Sequence, residues 1–178
     1  MSTLTDLLAE HTGLPGAAVD HLQMVAAEWQ LLSDLSFADF VLWVPLDDDE
    51  PAGKFLCAAQ ARPTTGPTAH PDDMVGSTVT ADDHPQVRRA LVEGRICREE
   101  DPRWHLGVPV RRETIPVRFN GDTIAVLSRD TNLAVPRVPS PLEIAYLGSA
   151  ADLCQMISDG TFPAIEPSAR RAHEPPRG

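Results

Sequence analysis

The dipeptide Asn120-Gly121 constrains this chain more than any other feature. A two-residue type I′ hairpin needs positive φ at both central positions, and Asn-Gly meets that need at little cost. The flanking text, ETIPVRF before and DTIAVLSR after, predicts two antiparallel strands over residues 113–129. Counting outward from the turn pairs Phe119 with Asp122, Val117 with Ile124 and Ile115 with Val126. All but Asp122 are apolar, which predicts a core face. The opposite face sets Thr114, Pro116 and Arg118 against Leu127, Ala125 and Thr123. That mixed surface suits a half-covered sheet or a pocket floor. Pro116 falls in a non-hydrogen-bonded pair, so its missing N–H costs the hairpin nothing. The outer edge of its strand is expected to be interrupted or free.

The other elements attach to this hairpin. Thr3 followed by Asp6 has capping-box spacing and predicts a short helix over residues 3–11. A second helix is expected over residues 15–35, with Val19, Leu22, Val25, Ala26, Trp29, Leu32 and Leu35 at helical spacing. It would be about 30 Å long, enough to reach a partner subunit as well as its own sheet. His21 lies beside that stripe and reads as surface. Residues 37–44 are almost continuously apolar and predict a central strand. Residues 46–53 are an acidic turn, and residues 54–61 pair back as a second strand. A loop rich in Pro, Gly and Thr follows over 62–73, then a short extended segment within 74–80. Asp83-His84-Pro85 opens a helix that Gly94 ends. Residues 96–105 look irregular, and 106–112 predict a strand leading into the hairpin. Ser140-Pro141 with Glu143 starts a last helix, which Gly160 stops. Strands gathered between helices describe an α+β fold. Its architecture is an antiparallel sheet with flanking helices, the first and last long helices lying together.

Charge and cysteines exclude several functions. The formal net charge is −11 over 178 residues. Nucleic-acid binding needs a basic surface that displaces counterions, and none is present. A single anionic ligand held by a few arginines remains compatible. No apolar run is long enough to span a bilayer, and no basic, apolar leader opens the chain. Cys57, Cys97 and Cys154 are odd in number and far apart, which suits a reducing cytoplasm better than a disulfide framework.

No P-loop, GxSxG, HExxH or dinucleotide fingerprint occurs. The histidines show no metal-ligand spacing; His70 with Asp72 and Asp73 reads as a polar loop, and no cofactor is assigned. Cys57 reads as a small buried residue or as a redox sensor. Cys97, flanked by Arg95 and Arg98, is the likelier thiolate of the three on electrostatic grounds. The most suggestive polar cluster follows the second strand: Gln60, Arg62, Thr64, Thr65 and Thr68. An arginine with clustered hydroxyls suits an anionic or phosphate-bearing ligand; a turn-rich loop using local hydrogen bonds is the alternative. Trp104 and His105 supply an aromatic wall for the same pocket, or Trp104 plugs the core. Arg118 joins the candidates through the mixed hairpin face.

Several strings taken together resemble a known family. They are LTDLLAEHTGLPGAAVDHLQMVAAEWQLLSDLSFADF, ARPTTGPT, IPVRF with IAVLSRD, and SDGTFP after the last helix. They resemble the N-terminal sensor region of actinobacterial soluble sensor histidine kinases of the PdtaS type. The resemblance runs to about residue 163, is strongest over 1–40, and weakens over 80–112. It implies a GAF-like domain over residues 1–163, followed by an interdomain linker or disordered tail over 164–178. A PAS domain and a histidine-kinase core would follow in the same protein. The phospho-acceptor box and the ATP-binding glycine motif are both absent from this chain, so it is not expected to be an enzyme by itself. The family's strand cysteine has its counterpart in Cys57. A second family cysteine is replaced by Ala61, which speaks against any mechanism needing both thiols. The NKFDE-type motif of cyclic-nucleotide-binding GAF domains is absent.

The resulting expectation is a cytoplasmic signal-input domain. It would bind a small ligand or sense redox state, and relay this to the PAS and kinase parts. A homodimer and a cognate response regulator are the implied partners, with no nucleic acid and no membrane. A dimerisation module with a vestigial pocket is the alternative, and a free-standing Cys-dependent GAF-fold reductase is a lesser one.

Overall fold

Local sequence signals become elements in chain order. The computed structural model describes residues 3–46, 52–135 and 138–163. Most of the acidic turn at 46–53 and all of the tail at 164–178 lie outside the described residues. Helix α1 (Leu4–His11) opens with the reciprocal box: Asp6 N donates to Thr3 Oγ1 at 3.2 Å, and Thr3 N donates to Asp6 Oδ2 at 3.0 Å. Helix α2 (Gly16–Ser36) follows Pro15 and ends at Phe37, whose φ of 53° turns the chain into the sheet. Helix α3 (Pro85–Glu93) ends on Gly94, and helix α4 (Pro141–Asp159) ends on Gly160. Both glycines are left-handed, at φ 63° and 78°, a region that glycine enters without a Cβ penalty.

The strands are β1 (Asp39–Pro45), β2 (Lys54–Ala61), β3 (Thr78–Thr80), β4 (Cys97–Arg98), β5 (Arg103–His105), β6 (Val108–Phe119) and β7 (Asp122–Asn132). They form one antiparallel sheet in the order β3-β2-β1-β7-β6-β4, with β5 also pairing β6. The segment expected to be irregular, 96–105, therefore contributes two short strands. The separate strand expected over 106–112 is continuous with the hairpin strand β6.

The turn at Asn120-Gly121 holds, with both residues at positive φ and Phe119 opposite Asp122. The register beyond it differs from the count. A bulge between Val117 and Arg118 sets Val117 opposite Ala125 and Ile115 opposite Leu127. Ile124 is the extra residue; a bulge sets two residues against one and shifts all later side chains. Leu127 and Ala125 therefore share the core face with Ile115 and Val117, while Val126 turns to the other side.

The sheet is covered on both faces. Helices α1, α2 and α4 lie on one, against Phe40, Leu42, Val44, Leu56, Ile115, Val117 and Leu127. Helix α3 lies on the other, above Val41, Trp43, Phe55, Cys57 and Val126. Over Thr114 and Pro116 the mixed hairpin face is not an open pocket floor. Thr114 is fully buried, its hydroxyl placed between the carbonyls of Gln86 at 3.3 Å and Cys97 at 3.4 Å, and Pro116 is buried too. His21 is buried rather than surface, its ring 4.9 Å from that of Phe119.

Candidate functional site

A second bulge arranges the residues after β2. Leu42 pairs with Ala59 but Trp43 pairs with Cys57, so Ala58 is the extra residue. Ala58 and Ala59 both pack toward the α2 side, while Cys57 stays with the α3 cluster. Gln60 and Arg62 then reach the loop at 62–77. Arg62 donates from Nε to His70 O at 2.9 Å and from Nη2 to Asp72 O at 2.9 Å and Pro71 O at 3.2 Å. Gln60 Nε2 donates to His70 O and Asp72 O, and its Oε1 accepts from Met74 N at 3.0 Å. Thr65 Oγ1 donates to Asp34 O at 2.7 Å, tying the loop to the end of α2. Asp39, fully buried, accepts from Thr68 Oγ1, Ala69 N and His70 N. In this arrangement Gln60, Arg62, Thr65 and Thr68 staple the loop down.

The loop closes over a buried ionic network. Arg112 and Asp130 face each other across β6 and β7 in a two-pronged pair, Nε to Oδ1 at 2.8 Å and Nη2 to Oδ2 at 2.9 Å. Both side chains are nearly inaccessible, at 5% and 0% exposure. His70 Nε2 reaches Asp130 Oδ2 at 2.5 Å, carrying the loop onto the sheet. Ser128 Oγ stands 3.3 Å from the same oxygen and accepts from Trp43 Nε1 at 2.9 Å. Arg112 Nη1 donates to His84 Nδ1 at 2.7 Å, and the His84 ring lies 5.3 Å from that of Trp43.

The electrostatics follow from this packing. Burial alone would raise the Asp130 carboxyl. The Arg112 charge and the hydrogen bonds from His70 and Arg112 outweigh it and hold Asp130 well below the ordinary carboxylate range. Burial, seconded by Arg112, pushes His84 down to about 4. A guanidinium can only donate, so His84 Nδ1 must accept and the ring is neutral. Burial also lowers His105 and raises Glu99.

The remaining sequence candidates scatter. Cys57 is buried under α3, and desolvation pushes its thiol to about 12. A thiol held so high is a poor nucleophile and a poor metal ligand. Cys97 is buried as well, on β4, against the expectation of an accessible thiolate. Trp104 is 74% exposed and is not a core plug. His105 packs against His70 at 5.0 Å between ring centres. Among the described residues, no group of three His, Cys, Asp or Glu is placed to hold a metal ion, and no helix is long and apolar enough to cross a membrane.

Arg118 lies at the far end of the sheet. Strand β4 pairs with β6 only at Glu113 and Thr114, so among the described residues the stretch around Pro116 to Arg118 has no outer strand partner. Arg118 fills this gap, donating from Nε to Ser158 O at 3.1 Å and from Nη2 to Gly94 O at 2.8 Å. It is threaded between the two helix-ending glycines. A Cβ on Gly94 would come within 2.9 Å of Arg118 Nη2, and one on Gly160 within 3.3 Å of Arg118 O. Beside it opens a cleft of about 750 Å³ lined by Gly94, Arg95, Ile96, Arg98, Arg118, Gln155, Ser158 and Asp159. A second groove, of about 580 Å³, runs from Phe37 and Gly66 past Arg129 to Leu147.

The ionic network was missed in the sequence. Its signal was an arginine and an aspartate in two apolar strands, at positions that pair once the hairpin is folded. The bulge displaces that pairing by one residue in a plain count.

Comparison with known proteins places the chain. The family description "Histidine kinase PdtaS, GAF domain" matches residues 4–150. The sensor histidine kinase PdtaS of Mycolicibacterium smegmatis is 51% identical over 170 residues, covering 93% of this chain and 33% of the relative. PdtaS of Mycobacterium tuberculosis is 48% identical over 169 residues, covering 92% of this chain and 32% of the relative. The chain thus spans about a third of the length of these curated relatives. A solved sensor region of a sensor histidine kinase superposes with a TM-score of 0.76 at 46% identity, over 94% of this chain and 57% of that one. An IclR transcriptional regulator from Alicyclobacillus acidocaldarius, 13% identical with a TM-score of 0.52, covering 79% of this chain and 68% of its own, shares the fold alone.

Proposed function

The chain belongs to the GAF-domain family of the histidine kinase PdtaS, and from that premise we propose that it is a ligand-responsive input domain whose output element is α4. The observation that carries this is the grip on α4. Its last turn is bonded to the hairpin through Arg118 and Ser158, and its body packs on α2 and β6. A change at the sheet therefore reaches α4 directly. The protein continues into PAS and histidine-kinase parts that pass a phosphoryl group to a response regulator in the cytoplasm. A ligand transmits only as far as it prefers one arrangement of α4 over another.

The outer faces of α2 and α4 carry Met24, Leu31, Leu142, Ile144 and Tyr146, all well exposed. A homodimer would cover them. Arg62, Thr65 and Thr68 lie in the loop at 62–77, Gln60 and His105 hold it from beside, and Cys57 lies in the cluster under α3. A ligand on that face has to lift the loop from Asp39 and Asp130 before it meets them. Small-ligand binding is favoured over redox sensing, because Cys57, Cys97 and Cys154 are all buried and free and Cys57 is held as a thiol. The same burial disfavours the reductase alternative.

Thermal-shift titration of the chain against a panel of nucleotides, organic acids and phosphates tests the proposal, coupled to autophosphorylation of the kinase that carries the domain. A ligand that raises Tm and changes autophosphorylation is expected. Silence across the panel in both assays favours the second reading, a dimerisation module, which draws on the filled space beneath the loop.

A further inference from the structure

We propose that the cleft between the C-terminal ends of α3 and α4 is a binding site for a small organic anion carrying phosphate or carboxylate groups. The inference deepens the input-domain reading and rests on it for its signalling consequence, but not for the binding itself.

Arg95, Arg98 and Arg118 line the cleft against one lining carboxylate, Asp159; Glu93 and Glu113, the partners of Arg95 and Arg98, are each shared with a further arginine, Arg89 and Arg129. This local excess of positive charge lies on a chain of net charge −11. A concave surface lined by one sign of charge concentrates the opposite ion. The volume, about 750 Å³, falls in the range of small-molecule sites, roughly 300–1,000 Å³. A bare inorganic ion would not fill it.

The donors are held but not exhausted. Arg98 engages Glu113 through Nε at 2.6 Å, and Arg95 engages Glu93 through Nη2 at 2.5 Å. Arg118 uses Nε and Nη2 on two carbonyls. Each guanidinium carries five N–H donors in a fixed fork, so each retains N–H groups for an oxyanion. The partners of Arg118 are neutral, and its charge meets no carboxylate within salt-bridge distance among the described residues. Glycine at 94 lets the guanidinium lie against the end of α3. The cationic centre is thus fixed before any ligand arrives, which lowers the ordering cost of binding.

The position gives the binding a consequence. Gln155, Ser158 and Asp159 are the last turn of α4. An anion on the unused N–H groups of Arg118 draws on the same guanidinium that holds Ser158 O through Nε, and so alters the hold of the hairpin on the output helix.

Isothermal titration calorimetry of the chain with citrate and with pyrophosphate as probes tests the site. Saturable one-to-one binding that weakens with added salt is expected for at least one probe, and which one binds separates carboxylate from phosphate chemistry. The double variant Arg95→Gln/Arg98→Gln, both side chains being exposed, should keep the Tm and lose at least tenfold in affinity. No binding of either probe, or equal binding by the double variant, overturns the site. A loss that instead follows Arg62→Gln overturns it in favour of the loop. Autophosphorylation of the kinase carrying the domain separates the two claims. Probe binding without a kinase response leaves the site and sinks its claimed hold on the output helix. A kinase response to some other ligand, unchanged in the double variant, leaves the input reading and sinks the cleft's part in it.

Discussion

The two faces of the sheet are built on different principles. The α1/α2/α4 face is apolar at its centre, with the Glu113–Arg129 pair at its margin, and its buried apolar members repeat at helix and strand periods. The α3 face wraps a comparable apolar patch around a full charge pair, Arg112 with Asp130, and closes it with a loop histidine. Apolar packing is tolerant, because any side chain of suitable size contributes. A buried ion pair is specific, because its desolvation cost is offset only when every partner is in place. One face confers bulk stability; the other fixes where a single loop lies.

Removing one partner of the pair should break this contrast hardest. Asp130→Ala leaves Arg112 buried without its counter-charge and is expected to cost about 4 kcal/mol, read by urea denaturation. Leu127→Ala, on the apolar face one strand position from Ser128, should cost about 3 kcal/mol through cavity formation. The sharper distinction is repair. Replacing both members, Arg112→Met with Asp130→Leu, should recover most of the Asp130→Ala loss, and recovery of under about 1 kcal/mol would contradict the desolvation account.

Acid should also act on the α3 face more than on the other. His84 has a folded pKa of about 4, below its ordinary value of about 6.5. The unfolded chain therefore takes up the proton first. The stabilisation is complete above about pH 6.5 and is lost as pH falls toward 4. The half-buried, lowered His105 acts in the same direction, and the buried, lowered His21 does so on the α2 side. Asp130 is depressed, so its contribution persists to more acid values, below the ordinary carboxylate range of about 4. Tm measured from pH 7.5 to 4.5 should fall, and His84→Gln, which keeps an acceptor but does not titrate, should flatten the slope. The smallest effect belongs to the periphery: Thr3→Ala should cost about 1 kcal/mol by opening the α1 cap, within reach of the same urea titrations.

The same contrast explains what could be read in advance. Helix α1 with its box, α3 from Pro85 to Gly94, α4 from Ser140 to Gly160, strand β2 and the Asn120-Gly121 turn all follow from local chemistry. So does the free outer edge beside Pro116. The two bulges do not, because a bulge leaves no mark in composition, and each one moves side chains between faces. Counting from the turn therefore put Val126 on the wrong face and hid the pairing of Arg112 with Asp130. His70 looked like a loop residue because its partner lies 60 positions away in the chain. The hairpin face suggests a pocket shared by Arg118 and Arg62, yet the two sit at opposite ends of the sheet and hold different segments. GAF membership was legible through the family strings, whereas the arginine cleft required the fold.

The interrupted edge of β6 has a consequence for how copies of this protein meet. An exposed strand edge is a template on which another chain can pair and grow into an aggregate. Here Pro116 withholds a donor, and Gly160 brings the end of α4 against Arg118 O, where an incoming strand would have to bond. The helix end thus doubles as a guard on the edge. A chain shortened to end before residue 158 should lose that guard and associate through β6, visible as concentration-dependent light scattering that Arg118→Pro, by removing the remaining N–H, suppresses.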